Sequence, residues 1–147
     1  HHNFLRIERQ KMSKSLKNFL TLEDLEAKGY SPMAFRLLIL TAHYRDEMNF
    51  TWNALQGTQA GYDKLARKVN QLLNESEWSS WAEVPAYQAE QTAPEMAQVM
   101  TEFVAKLEDD LKTPQAVALM WKLIKQNQPA ILPAIKEMWG FLGLQLA

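Results

Sequence analysis

Apolar residues in the last hundred positions recur at the spacing of α-helices. The first stripe predicts one long amphipathic helix, and its members are Trp52, Leu55, Tyr62, Leu65, Val69, Leu72 and Leu73. Three further stripes predict helices that begin near Thr92, Thr113 and Pro129, each with a proline in its first turn, where the missing N–H costs no helical hydrogen bond. The polar stretch 75–91 shows no clear period and predicts a long connection, which in a compact domain is usually functional or mobile. This part of the chain therefore predicts a helical bundle.

The first third of the chain predicts mixed structure. Residues 3–8 alternate weakly between apolar and polar and predict a strand, and residues 18–22 predict a second short one. Thr21 followed by Asp24 is the signature of a helix N-terminus, and the same spacing recurs at Thr92 and Glu95. Thr113 before Pro114 predicts a further N-cap. A small module of strands and helices is thus expected before the bundle.

Composition narrows the class of protein. The chain has 147 residues, is 47% hydrophobic and contains no cysteine, so it forms neither disulfides nor thiolate metal sites. No apolar run approaches the ~20 residues that cross a bilayer, and we expect a cytoplasmic protein without a membrane partner. Only His1, His2 and His43 are histidines, too few and too scattered to suggest another metal site.

Charge is distributed unevenly along the chain. Residues 1–70 contain eleven Lys or Arg and seven Asp or Glu, whereas residues 71–147 contain five and ten. Between Asn74 and Asp110, nine acids face one base, Lys106. A polyanion is therefore expected to bind the first half of the chain.

The most basic run is RQKMSKSLKNF, residues 9–19, which contains no acid. Most such runs are solvated surface. In a tight turn, however, Lys11 and Lys14 can converge on one group of phosphate oxygens, and Ser13 and Ser15 add hydroxyl donors. Lysines placed in this way stabilise the negative charge that develops on departing phosphates.

The string Lys11-Met12-Ser13-Lys14-Ser15 is identical to the signature loop of class I aminoacyl-tRNA synthetases. The flanks resemble one family of that class, the cysteinyl-tRNA synthetases, in these segments: Leu16, Asn18-Phe19, His43-Tyr44-Arg45, Asn49-Phe50, residues 107–123 and the closing FLGLQL. Two positions depart from the family pattern, because Lys17 stands where glycine is commoner and Lys112 where asparagine is usual. The resemblance covers essentially the whole chain.

The resemblance implies an enzyme, a cysteine–tRNA ligase that activates cysteine with ATP to cysteinyl-adenylate and transfers it to tRNA(Cys). Lys11 and Lys14 would be the catalytic pair that holds the departing pyrophosphate. The ATP-binding set would be Lys11, Met12, Ser13, Lys14 and Ser15, with Met12 near the adenine. ATP with Mg²⁺ would serve the whole enzyme.

The same resemblance implies a fold that is mainly α. A small α/β stem-contact module that carries the signature loop would occupy residues 1–50, and an antiparallel helical bundle of the anticodon-binding type would occupy residues 51–147. The family also has a nucleotide-binding sheet with a His-Ile-Gly-His type motif, and it reads cysteine through a zinc ion held by cysteine, histidine and glutamate. Neither the motif nor these zinc ligands are found in this sequence. The chain is therefore expected to be the C-terminal part of such an enzyme, to hold no metal and to be inactive alone.

Contacts with tRNA are the least specific expectation. Candidate residues are Arg36 and Arg45 after the loop, and Lys64, Arg67 and Lys68 on the long helix. The alternative for Arg36 and Arg45 is a structural role, either in an ion pair or through packing of the side-chain stem. We expect a monomer.

Two other functions remain open. The chain could be a stand-alone RNA-binding or scaffold module, although such a module has no need of both loop lysines. It could also be a ligase of the same superfamily that joins cysteine to an amino sugar, against which the resemblance over residues 107–147 speaks.

Overall fold

The computed structural model describes residues 5–7, 10–11, 21–42, 48–109 and 111–146, and for residues 5–7, 10–11 and 48–49 it describes the backbone alone. These residues form two compact units, His1–Asp63 and Lys64–Ala147, whose boundary falls within one long helix. Helices dominate both, which confirms that the fold is mainly α. The division into domains at residue 50 stays a prediction.

Three short strands form the sheet of the first unit. Strand β1, Leu5–Ile7, pairs antiparallel with β2, Gln10–Lys11, and parallel with β3, Met48–Phe50. The sheet order is therefore β2-β1-β3. The predicted strand over 3–8 is confirmed for Leu5–Ile7, and the remainder of that range lies outside the described residues.

The strand predicted over 18–22 is wrong where the structure describes it. Thr21 is the N-cap of α1, Leu22–Ala27, and residues 18–20 lie outside the described part. The Thr21 hydroxyl accepts a hydrogen bond from the Asp24 N–H at 3.2 Å, and the Asp24 carboxylate accepts one from the Thr21 N–H at 2.9 Å. This capping box satisfies two N–H groups that a strand would leave to a neighbour, so the cap decides the local structure.

An aromatic cluster joins β3 to the helices of the first unit. The Phe50 ring is fully buried and makes edge contacts with Phe35, on α2 (Pro32–Leu40), and with Trp52, at ring-centre distances of 5.9 and 5.0 Å. Tyr30 stacks on Trp52 at 6.1 Å. Because β3 pairs with β1 and β1 with β2, this cluster anchors the sheet that ends at Lys11.

Helix α3 spans Trp52–Glu75 and confirms the predicted long amphipathic helix. Its buried positions are those that the apolar stripe predicts, namely Leu55, Tyr62, Leu65, Val69, Leu72 and Leu73, while Trp52 is half-buried. The opposite face is polar and exposed, as expected for a surface helix.

In the second unit, three helices pack against one another: α4, Pro94–Glu108; α5, Thr113–Ile124; and α6, Leu132–Leu142. A short 3₁₀ turn, Pro129–Ile131, leads into α6, and Gly143 ends it in the left-handed region at φ 71°. Buried Trp139 and Phe103 contribute the largest side chains to this core, and Met120 is also fully buried there.

Two predicted helix caps of this unit are wrong in detail. Ala93, not Thr92, is the N-cap of α4, because the Thr92 hydroxyl donates to the Gln88 carbonyl oxygen at 2.6 Å. Thr113 is already the first residue of α5, and its N-cap is Lys112. Both helices nevertheless begin within a residue or two of the predicted start, and each has its proline in the first turn.

The connection between α3 and α4 contains two 3₁₀ turns, Trp81–Glu83 and Ala89–Gln91. Lys136 of α6 stabilises the turn Trp81–Glu83, because its ammonium donates hydrogen bonds to the carbonyl oxygens of Trp81, Ala82 and Val84 at 3.1, 3.4 and 2.8 Å. The Trp81 ring also lies 5.2 Å from the Trp139 ring, and Val84 is buried. This part of the connection is thus a packed element of the unit.

We expect Lys136→Met to lower the free energy of unfolding by about 1–3 kcal/mol, since methionine keeps the apolar stem but leaves three carbonyl groups without their charged donor. Urea unfolding of the chain measures the effect. Lys122→Met is the matched control, because Lys122 is exposed on α5 and has no hydrogen-bond or ion-pair partner among the described residues. Equal losses in the two variants would contradict the role of Lys136.

Candidate functional site

The predicted phosphate-binding loop begins at the edge of the small sheet. Lys11 is the last residue of β2, and its backbone lies opposite Arg6 of β1. Met12, Ser13, Lys14 and Ser15 lie outside the described residues. The described part of the predicted loop is therefore Lys11, at the end of an edge strand.

A basic groove lies in the second unit, between α3 and the end of α5. It has a volume of about 590 Å³, and its lining residues are Lys64, Arg67, Lys68, Gln71, Trp121, Ile124, Lys125 and Asn127. The four residues from α3 follow the spacing i, i+3, i+4 and i+7, which places them on one face of that helix. Lys125, the C-cap of α5, likewise lies four residues after Trp121. We call this feature the basic groove.

The charges of the basic groove are not balanced by acids. Its lining contains three lysines and one arginine but neither aspartate nor glutamate. None of these four cations forms an ion pair with any residue that the structure describes. Like charges held close together repel, so an anion that enters the groove lowers the electrostatic energy.

Of the five residues predicted to contact tRNA, the structure brings three together. Lys64, Arg67 and Lys68 line the basic groove. Arg36 is exposed on α2 in the first unit, where it has an interaction partner, and Arg45 lies outside the described residues.

Sequence reasoning missed Trp121 and Lys125. Both lie more than fifty residues beyond Lys64 in the sequence, and no local pattern connects the two segments. The one available signal was that Lys125 is the C-cap of α5, a place that favours cations. That signal concerns helix stability and does not indicate a groove.

The connection between α3 and α4 has the opposite charge to the basic groove. A cleft of about 540 Å³ beneath it includes Glu75, Glu77, Trp78 and Tyr87 in its lining. Burial, with the nearby carboxylates of Glu90 and Glu137, raises the pKa of the Tyr87 phenol above its ordinary value of 10.0. An acidic surface repels phosphate, so a polyanion is expected at the basic groove and not here.

The described residues provide no metal site. Within residues 5–7, 10–11, 21–42, 48–109 and 111–146, no three His, Cys, Asp or Glu side chains are grouped so that they could hold a metal ion. Asp109, one of two adjacent aspartates, is the C-cap of α4, and its carboxylate pairs with the Lys112 ammonium at 2.9 Å.

In the same described part of the chain, no helix is both long enough and apolar enough to cross a membrane.

Comparison with known proteins gives the class first. Residues 1–60, which include the small sheet and the predicted phosphate-binding loop, match the family described as the class I (C) tRNA synthetase catalytic domain. The chain is thus related to enzymes of the class I synthetases, in agreement with its signature string.

The particular family follows from the most similar curated relatives. The chain is 33% identical to the cysteine–tRNA ligase of Borrelia turicatae, over 96% of the chain and 29% of that relative. It is 32% identical to that of Treponema denticola and 34% identical to that of Hydrogenovibrio crunogenus, over 99% and 98% of the chain. The chain belongs to the cysteinyl-tRNA synthetase family. It spans about a third or less of the length of these relatives.

Proposed function

We propose that this chain works as part of a cysteine–tRNA ligase, which activates cysteine with ATP and transfers it to tRNA(Cys). The observation that carries the proposal is the match to cysteine–tRNA ligases along nearly the whole chain, together with the intact Lys11–Ser15 signature. Because the chain spans only part of the length of these relatives, the complete activity is assigned to the polypeptide that contains it.

In this proposal the loop stabilises the departing pyrophosphate. The cysteine carboxylate attacks the α-phosphorus of ATP, the bond to the β-phosphate oxygen breaks, and negative charge accumulates on the leaving group. The ammonium groups of Lys11 and Lys14 and the hydroxyls of Ser13 and Ser15 are donors that suit phosphate oxygens. The start of the loop on β2 supports this role, since a strand edge can hold its first residue in position.

Metal ions enter the proposal only through the whole enzyme. Mg²⁺ would neutralise charge on the ATP phosphates, and Zn²⁺ is expected in the part of the enzyme that reads cysteine. The donors among the described residues do not form a group suited to either ion. We therefore assign no metal ligand within the described part of the chain.

The second unit is proposed to contact tRNA through the basic groove. Four cations that form no ion pair with a described residue lie in a groove of about 590 Å³ and support this assignment, because phosphate contacts supply most of the affinity in nucleic-acid binding. Arg36 and Arg45 are kept as further candidates for tRNA contact. The finer architecture is part of the same proposal: a stem-contact module over 1–50 and an antiparallel helical bundle over 51–147, in a monomeric cytoplasmic enzyme.

Product analysis tests the function. The purified enzyme that contains this chain is incubated with ATP, cysteine and either tRNA(Cys) or an amino sugar. We expect cysteine-dependent pyrophosphate exchange and cysteine attached to tRNA(Cys), with serine as the control amino acid. An amide of cysteine with the sugar, and no charged tRNA, would favour the amino-sugar ligase. RNA binding without pyrophosphate exchange would favour the stand-alone binding module.

A further inference from the structure

Trp121 lines the basic groove. Its neighbours Met120, Leu123 and Ile124 are buried, whereas Trp121 itself is half-buried. No described residue stacks on its ring or accepts a hydrogen bond from its indole N–H. The core therefore leaves part of a large aromatic surface open toward the groove.

Trp139, in the same unit, is a tryptophan with a structural role, and its contacts differ from those of Trp121. Its side chain is 2% exposed, its ring contacts that of Trp81 at 5.2 Å, and its indole N–H donates to the Met120 sulfur at 3.3 Å. Trp121 has none of these contacts in the described part of the chain. The part of the Trp121 ring that lines the groove is therefore available to a ligand.

The chemistry around Trp121 suits a nucleotide. Lys64, Arg67, Lys68 and Lys125 line the same groove and provide positive charge for phosphate. Its volume of about 590 Å³ lies within the ~300–1,000 Å³ that small-ligand sites occupy. An aromatic ring beside cations is the arrangement with which proteins bind single-stranded nucleic acid, the base stacking on the ring and the phosphates meeting the cations.

Amide side chains extend this surface. Asn127 lines the basic groove, and an adjoining surface depression along α3 is lined by Arg67, Asn70, Gln71, Asn74 and, at its far end, the acidic Glu75. Amides donate and accept hydrogen bonds and can therefore contact the edges of unstacked bases. A strand that leaves Trp121 meets a polar surface on α3.

We infer that the basic groove binds an unpaired nucleotide of RNA, with its base stacked on Trp121 and its phosphates held by the surrounding cations. The inference rests on the proposed contact with tRNA and names the element that is contacted, a loop or single-stranded segment in place of a paired stem. A base inside a duplex is already stacked on both faces, so the Trp121 ring gains nothing from it.

Trp121→Phe and Trp121→Leu form the decisive pair of variants. Phenylalanine keeps an aromatic face, whereas leucine keeps apolar bulk without one. The 147-residue chain is titrated with two fluorescein-labelled RNAs, a hairpin with an unpaired loop and a blunt duplex of equal nucleotide number. Trp78→Leu is the matched control, because Trp78 is also half-buried but lines the cleft that contains Glu75 and Glu77. Thermal unfolding verifies that each variant is folded.

We expect Trp121→Leu to weaken hairpin binding by roughly tenfold, within the range that the loss of one base–aromatic stack produces. Duplex binding should stay unchanged in this variant, Trp121→Phe should remain near the parent chain, and Trp78→Leu should match the parent. The salt dependence of hairpin binding should also be unchanged, since no charge is removed. Equal losses for hairpin and duplex, or no loss, would overturn the inference.

The same titration separates this inference from the proposed function. If Arg67→Gln with Lys125→Gln weakens RNA binding while Trp121→Leu does not, the groove binds phosphates and only the stacking fails. If neither change affects RNA binding, the assignment of tRNA contact to the groove fails as well.

Discussion

Lys14→Ala is expected to slow cysteine-dependent ATP–pyrophosphate exchange by about 100-fold or more in the enzyme that contains this chain. The ammonium of Lys14 is proposed to meet charge that exists on the pyrophosphate mainly in the transition state, so its loss should lower kcat while the Kd of cysteine stays near normal. Exchange kinetics measured against ATP and cysteine separate the two effects.

Lys17→Ala is the matched control for this experiment. It removes the same charge from the same basic run, but Lys17 lies outside the signature Lys11–Ser15. We expect a small effect there, because a charge outside the signature adds only a screened interaction. Equal losses of exchange in the two variants, or a parallel loss of cysteine binding, would contradict a transition-state role for Lys14.

The second large effect is expected in the basic groove. Arg67→Gln combined with Lys125→Gln should weaken tRNA(Cys) binding by about tenfold or more at moderate salt, because two phosphate-binding charges are removed while the polar, helix-forming character is kept. The slope of log K against log salt should fall by about 1–2, one unit or slightly less for each lost contact. Binding titrations at several salt concentrations measure both quantities.

Lys106→Gln combined with Lys122→Gln is the control for the groove. It removes an equal charge from α4 and α5, at positions that do not line the groove. If this pair changes the affinity and the salt slope as much as the groove pair does, the effect is one of net charge alone and the groove has no special role.

Local rules explain how much of the fold could be predicted. The long helix Trp52–Glu75 follows from apolar spacing, and the start of α1 follows from the reciprocal bonds of Thr21 and Asp24. Both depend on residues within a few positions of one another. Thr92 carries the same signal, yet its hydroxyl bonds to the Gln88 carbonyl because the preceding 3₁₀ turn brings that oxygen closer.

The amino-acid sequence by itself determined the helical periodicity, the charge asymmetry and the Lys11–Ser15 signature, since each is a property of neighbouring residues. Only the tertiary structure decided that Lys136 holds the turn at Trp81, and that Trp121 and Lys125 lie beside Lys64. These partners are separated by more than fifty residues, and their approach depends on how buried helix faces pack together. No spacing rule along the chain contains that information, because packing is settled by the shapes of all the core side chains together.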